Sequence, residues 1–274
     1  MCTAIKYDNC FGRNLDLWCR YDTSVVITRE GEISNKYPIM GMATVINDYP
    51  LYFEGMNDRG LAMAGLNFPG NAVYFPLDKH RNNLAPYELI PYIIGKFSTV
   101  DEVTKELCKV NILDRPFSEN TPLSPLHWMI SDKNASIVLE STEKGVKIYQ
   151  NPHHVLTNNP PFDIQSFNLN NYKRLSPHSR EDDYSLGMGG LGLPGDLSSM
   201  SRFVRADFYL KNSPAGLGYN HLFHLLYSVA MPRGSVLTPE GSEEYTQYSC
   251  CCDLESNKYY YTEYDNPNIR CIEF

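Results

Sequence analysis

Cys2 stands directly behind the initiator methionine of a 274-residue chain. If Met1 is removed, one residue carries both a thiol and a free α-amine. Such an amine has a pKa of about 8, so much of it can accept a proton at neutral pH. Cysteine is the most nucleophilic common side chain at that pH, and here it would need no second side chain as base. The residues that follow can serve both groups. Asp8-Asn9 suits a two-residue hairpin turn, because both tolerate positive φ. Pairing Tyr7 with Cys10 then sets Ala4 opposite Arg13 and Cys2 opposite Leu15. Cys2 and Arg13 share a face on a diagonal of about 7–8 Å, which a long side chain spans. A guanidinium there stabilises a thiolate. Asp16 falls beside the chain start, where a carboxylate can hold the amine. Met-Cys alone is an ordinary start, and Arg13 with Asp16 an ordinary surface pair. With Phe11-Gly12-Arg13-Asn14-Leu15-Asp16 at this distance, the stretch reads as a site.

Three more polar residues lie where an element ends or begins. Asn67 leaves the apolar run at 61–65, and Asn158 leaves the run at 155–157. An asparagine can donate its NH₂ to an anionic oxygen, as a carboxylate cannot. The bland reading of Asn158-Asn159-Pro160-Pro161 is a turn. Arg202 falls near the start of a helix, against the helix dipole. A ligand or carboxylate explains it better than helix stability, although a solvated arginine is the commoner case.

These residues belong to five ordered motifs. Met1-Cys2-Thr3-Ala4 with Phe11-Gly12-Arg13-Asn14-Leu15-Asp16 is the first. Gly65-Leu66-Asn67-Phe68-Pro69-Gly70 is the second, and Leu156-Thr157-Asn158-Asn159-Pro160 with Phe162-Asp163 the third. Leu193-Pro194-Gly195-Asp196-Leu197-Ser198-Ser199 running into Ser201-Arg202-Phe203-Val204-Arg205 is the fourth. Tyr264-Asp265-Asn266-Pro267-Asn268-Ile269-Arg270 closes the set. Together they resemble the choloylglycine hydrolases, meaning bile salt hydrolases and penicillin V acylases, which are N-terminal-nucleophile amidohydrolases. The resemblance implies Cys2 as nucleophile, Arg13 and Asp16 around it, Asn67 and Asn158 as oxyanion and substrate-positioning residues, and Arg202 as the remaining active-site arginine. It makes Leu15, Asn67 and Asn158 the expected substrate contacts. It further implies a four-layer αββα fold over one domain, residues 1–274, a homotetramer, and no cofactor or metal. Asn67 matches the bile salt hydrolases, where penicillin V acylases tend to carry Tyr. Two departures are a shortened first hairpin, which bears on the pocket mouth, and an end soon after Arg270, which bears on subunit contacts.

The composition excludes other classes. A net charge of −8 argues against nucleic acid and gives no attraction to an anionic membrane surface. An anionic substrate would need local arginines. The eight cysteines form no Cys-x-x-Cys pair, so zinc and thioredoxin-type readings are weak. Cys250-Cys251-Cys252 reads as reduced thiols on a buried strand, whose side chains alternate between faces. No signal segment and no apolar run of about 18 residues is visible. A cytoplasmic protein acting on a small molecule is expected.

The elements that must position these residues are mostly strands. Runs at 24–28, 42–46, 51–54, 61–65, 126–130, 135–140, 146–149, 245–251, 258–262 and 269–274 read as β. The run at 61–65 is apolar on both faces, hence central and covered on both sides. Helical spacing covers 87–97, 100–110, 200–210 and 220–229. On the third of these, Arg202, Arg205 and Tyr209 share a face, with Phe203, Val204 and Phe208 turned to the core. Segments 71–83, 111–125 and 173–197 read as loops. Gly187-Met188-Gly189-Gly190-Leu191-Gly192 has no strand before it and opens no helix, which rules against a dinucleotide site. His127 reads as a core histidine and His153-His154 as a turn pair. Antiparallel runs separated by helix pairs give an α+β layered class.

The expected activity is cleavage of a bile acid conjugated to glycine or taurine. Penicillin V, an N-acyl amino acid or an N-acyl homoserine lactone is the alternative substrate. A non-catalytic ligand carrier on the same scaffold is the alternative class.

Overall fold

The computed structural model describes residues 1–179 and 189–274. Gly187 and Met188 of the glycine-rich run lie outside the described residues. Two antiparallel sheets are stacked face to face. The first runs Val155–Leu156, Cys2–Tyr7, Cys10–Leu17, Glu243–Asp253, Lys258–Glu263, Asn266–Glu273, with Val236–Leu237 added on Glu243–Asp253. The second runs Gly145–Gln150, Ser136–Thr142, Leu126–Ser131, Ala62–Asn67, Glu54–Asn57, Ile39–Ile46, Ser24–Thr28, with Tyr49–Tyr52 added on Ile39–Ile46.

Alternation along each strand builds the layers. Ala62, Ala64 and Leu66 face the first sheet and join Ala4, Phe11 and Leu15 in the inter-sheet core. Leu61 and Met63 face away and join Leu89, Ile90, Ile93 and Ile94 of the helix Pro86–Lys96. The strand Ala62–Asn67 is therefore central and covered on both faces, as its sequence required. Helices Ser199–Asn212 and Gly218–Tyr227 pack on the outside of the first sheet. Asn14 pins one of them, donating to the Leu226 carbonyl at 2.8 Å while accepting from Ser249 Oγ at 2.7 Å.

The opening hairpin has the expected register: Tyr7 opposes Cys10, Ala4 opposes Arg13 and Cys2 opposes Leu15. Gly12 is needed beside Arg13, because a Cβ there would stand 2.1 Å from the Cys250 carbonyl oxygen. The Asp8-Asn9 turn packs against Leu254 and Gly216. Neither turn residue lines the cavity that Cys2 faces, whereas Leu15 and Leu17 of the second hairpin strand do.

Several local expectations are corrected. The second expected helix ends at Leu107, and Val110–Ile112, read as the helix end and the start of a loop, pairs in parallel with Asn82–Leu84. A helix over Phe162–Asn168 and a 3-10 turn over Leu169–Tyr172 have no counterpart in the sequence reading. Their Asn- and Ser-rich sequence competes with helix by local side-chain bonding. The helix Ser199–Asn212, capped by Ser198 Oγ, does not expose its arginines. Arg202 and Arg205 are buried, whereas Tyr209 is exposed and Phe208 half-buried.

Candidate active site

Cys2 is fixed from both of its reactive atoms. Its strand, paired on both edges, carries Sγ to the inter-sheet side, where Arg13 Nη2 donates to it at 2.7 Å. Arg13 is fully buried, and its other nitrogens are held by backbone: Nη1 donates to the carbonyls of Gly65 at 2.8 Å and Phe53 at 3.1 Å. Burial works against this cation, but the negative charges of the Cys2 sulfur and Glu54 outweigh it, and its pKa is raised.

The Cys2 nitrogen donates to Asn158 Oδ1 at 2.7 Å. The same oxygen accepts Arg202 Nη2 at 2.9 Å, and Asn158 Nδ2 donates to the Asn67 carbonyl at 2.7 Å. One Asn158 N–H therefore remains for another acceptor. Arg202 reaches the chain start from its helix. Its Nη1 donates to the Cys2 carbonyl at 2.7 Å and to Thr3 Oγ1 at 2.5 Å. Burial lowers its pKa against the opposing pull of Asp16 and Cys2.

Asp16 is fully buried. Its Oδ1 accepts Thr246 Oγ1 at 2.6 Å, its Oδ2 lies 3.9 Å from Arg202 Nη1, and Oδ2 has no hydrogen-bond partner. Burial raises its pKa, with Arg202 and the chain-terminal ammonium opposing. The Met1 amine donates to the Asp16 carbonyl and pairs with Glu244, and Met1 Sδ lies 3.5 Å from Arg202 Nη2. Loss of Met1 would make the Cys2 nitrogen, already bonded to Asn158 Oδ1, the new chain-terminal amine.

Asn67 ends its strand at the wall of a cavity of about 560 Å³, which Cys2, Arg13 and Leu15 also line. The rest of the lining is mostly apolar, including Trp18, Phe53 and Phe117. All six expected catalytic residues thus meet around Cys2, or bridge directly to its partners. They come from four separate segments of the chain.

The histidines fall elsewhere. His127 is fully buried, stacked on Phe68 with ring centroids 4.2 Å apart, and bonded to the Thr157 carbonyl at 2.8 Å and Glu140 at 3.2 Å. It braces the backbone beside both asparagines. His153 sits in its turn between Asp207 at 3.0 Å and Ser166 at 2.9 Å, beside a separate cavity of about 890 Å³ that does not include Cys2. Glu54 and Thr246 were not read from the sequence. Each sits in a β-rich run and meets the site only because the chain folds back.

Two stacked antiparallel sheets with outer helices, and a cysteine one methionine from the chain start at a cavity wall, define the N-terminal-nucleophile hydrolase class. The profile described as linear amide C–N hydrolases, choloylglycine hydrolase family, matches residues 2–274. The chain belongs to this family. It is 47% identical over 297 aligned positions to the bile salt hydrolase/transferase of Lactiplantibacillus plantarum, covering 99% of this chain and 92% of that protein. It is 38% identical to the bile salt hydrolase/transferase of Clostridium perfringens over 100% of this chain and 92% of that one. The crystal structure of the C2A mutant of the conjugated bile acid hydrolase from Clostridium perfringens superposes with a TM-score of 0.91 at 36% identity, covering 100% of this chain and 92% of that one. The structure of penicillin V acylase from Agrobacterium tumefaciens, at 22% identity and a TM-score of 0.77 over 100% of this chain and 86% of that one, shares the fold.

Proposed function

We propose that this protein hydrolyses the amide bond of glycine- or taurine-conjugated bile acids, with Cys2 as nucleophile. The observation that carries the reading is the double hold on Cys2: sulfur against Arg13, nitrogen against Asn158, each at 2.7 Å. The full-length similarity to bile salt hydrolases supports the substrate class. So does the mostly apolar cavity, which suits a steroid body.

In this mechanism removal of Met1 frees the Cys2 amine. Asn158 Oδ1 and Asp16 orient it. The amine takes the thiol proton, and the thiolate attacks the amide carbonyl. Asn67 and the remaining Asn158 N–H donate to the oxyanion. The protonated amine then gives its proton to the leaving nitrogen of glycine or taurine. Water attacks the thioester, releases the bile acid and restores the thiol. Arg13 holds the sulfur's negative charge, Arg202 fixes the Cys2 carbonyl, and Leu15 contacts the acyl part.

Incubation with glycocholate, taurocholate and penicillin V, with detection of free amine, tests the reading. Release from the two conjugates is expected to exceed release from penicillin V. Faster cleavage of penicillin V would move the substrate class, and no release from any of them would favour a ligand carrier.

Cytoplasmic residence belongs to the same proposal and is supported by eight cysteines standing as free thiols. A homo-oligomer, four subunits by family resemblance, is supported by the exposed Ile164 and Phe167 on one short helix. Light scattering on the purified protein would give the subunit number.

A further inference from the structure

Arg13 has a second anion besides the Cys2 sulfur. Glu54, on the facing sheet, is fully buried, and its Oε2 lies 3.6 Å from Arg13 Nη1. That carboxylate is built in rather than stranded. Tyr248 donates to Oε2 at 2.6 Å, Tyr259 donates to Oε1 at 2.6 Å, and the Met42 N–H reaches Oε1 at 3.3 Å. The two phenols come from adjacent strands of the first sheet, so the cluster ties both sheets together behind the nucleophile. Burial holds both phenols well above their ordinary pKa, so they keep their protons and act as donors. Neither Glu54 nor Tyr259 lines the substrate cavity.

A guanidinium is planar and rigid, so what holds Nη1 also places Nη2. Nη1 is held by the carbonyls of Phe53 and Gly65 and by the Glu54 charge. Nη2 is thereby presented to Sγ. We propose that Glu54 is a positioning residue of the reaction: held by Tyr248 and Tyr259, it shares the buried Arg13 cation with the Cys2 thiolate and so keeps that cation from quenching the sulfur as a nucleophile. The inference rests on Cys2 being the nucleophile.

The charged and titratable groups around the sulfur come from five elements and the chain start. Arg13 and Asp16 lie on Cys10–Leu17, Glu54 on Glu54–Asn57, and Glu244, Tyr248 and Cys250 on Glu243–Asp253. Tyr259 lies on Lys258–Glu263, Arg202 on Ser199–Asn212, and the terminal amine completes the set. Asp16 faces Arg202, whereas Glu54 is the carboxylate paired with Arg13. Neutralising Glu54 would leave the thiolate alone with that cation. The sulfur would then ionise at lower pH and attack more weakly, because nucleophilicity falls with thiol pKa.

Glu54→Gln in the mature enzyme lacking Met1 tests this. Alkylation by iodoacetamide is followed at the Cys2 peptide by mass spectrometry across pH, so that other thiols do not contribute. The inflection is expected to fall by about one pH unit, and the plateau rate to fall about threefold. With a conjugated bile acid, kcat should drop and KM hold, since Glu54 does not line the cavity. Tyr248→Phe removes one of the two phenol donors but keeps the carboxylate charge, still held by Tyr259, and should move the inflection much less than Glu54→Gln. Glu54→Asp withdraws the charge by one methylene and should move the inflection the same way by less, which serves if the Gln variant does not fold. An unmoved inflection in the Glu54 variants, or an equal shift in Tyr248→Phe, overturns the proposal. If alkylation of Cys2 leaves amine release intact, the nucleophile reading itself fails.

Discussion

Asn158 Oδ1 stands 2.7 Å from the Cys2 nitrogen and 2.9 Å from Arg202 Nη2, while Nδ2 of the same amide faces the Asn67 carbonyl at 2.7 Å. Two donors on one side and an acceptor on the other fix the amide orientation. The amide offers donor and acceptor on separate atoms of one planar group. Asn158→Asp keeps the acceptor but sets a second carboxylate oxygen against the Asn67 carbonyl. We expect kcat/KM for a conjugated bile acid to fall by about 10²-fold or more, the scale of losing one oxyanion donor. A variant within a few-fold of wild type would show that this amide plays no part in turnover.

Arg13 makes its contacts through separate nitrogens of one planar group, reaching Sγ at 2.7 Å, Gly65 O at 2.8 Å and Phe53 O at 3.1 Å. Lysine keeps the charge but has a single nitrogen and cannot span that arrangement. Arg13→Lys is expected to lower kcat/KM by about 10²-fold or more. The loss should be accompanied by slower alkylation of Cys2. Full activity in the lysine variant would mean that only charge matters at this position.

Met1 occupies the space that the mechanism needs. Its amine pairs with Glu244 and with the Asp16 carbonyl, and its burial lowers the pKa of that amine, against the opposing pull of Cys2 and Asp16. With Met1 attached, the Cys2 nitrogen is an amide and cannot act as base. Active preparations should begin at Cys2 by intact mass. A form blocked from methionine removal should fold but turn over at background. Cys2→Ala should do likewise. Conjugate cleavage by protein that still begins with methionine would contradict the base assigned here.

The opening hairpin was legible because its signal is local. A two-residue turn and a period of two fix the register, and the register fixes which side chains share a face. Cys2, Leu15 and Arg13 followed from that alone. Asn67 and Asn158 were legible as strand ends, but not the hydrogen bonds that join them. Arg202 read as a residue opposing its helix dipole, and the structure supplies the carbonyl and carboxylate that offset this. Glu54 carried no signal. In Leu51-Tyr52-Phe53-Glu54 it looks like the polar end of a strand, and its partners Tyr248 and Tyr259 lie about 200 positions away in the chain. Sheet stacking makes that cluster, and spacing along one chain does not encode stacking. The helix at Phe162–Asn168 was missed because packing, not propensity, holds it: Phe162 and Gln165 are its buried contacts.

Asp16 gives the site a pH signature in stability. Burial raises its folded-state pKa above the ordinary 3.8, despite Arg202 and the terminal ammonium. The folded protein therefore binds more protons at this group than the unfolded chain does. Its contribution is greatest below the ordinary pKa and is lost as pH rises through the folded value. Asp16→Asn removes that titration and can keep the bond from Thr246 through its remaining oxygen. Urea unfolding of both proteins from about pH 4 upward should show wild type losing stability relative to the variant as pH increases. Turnover should fall in the same variant, because the buried negative charge that favours the terminal ammonium is gone. A wild type that instead gains stability over the variant with rising pH would show that Arg202, 3.9 Å away, outweighs burial at this carboxylate.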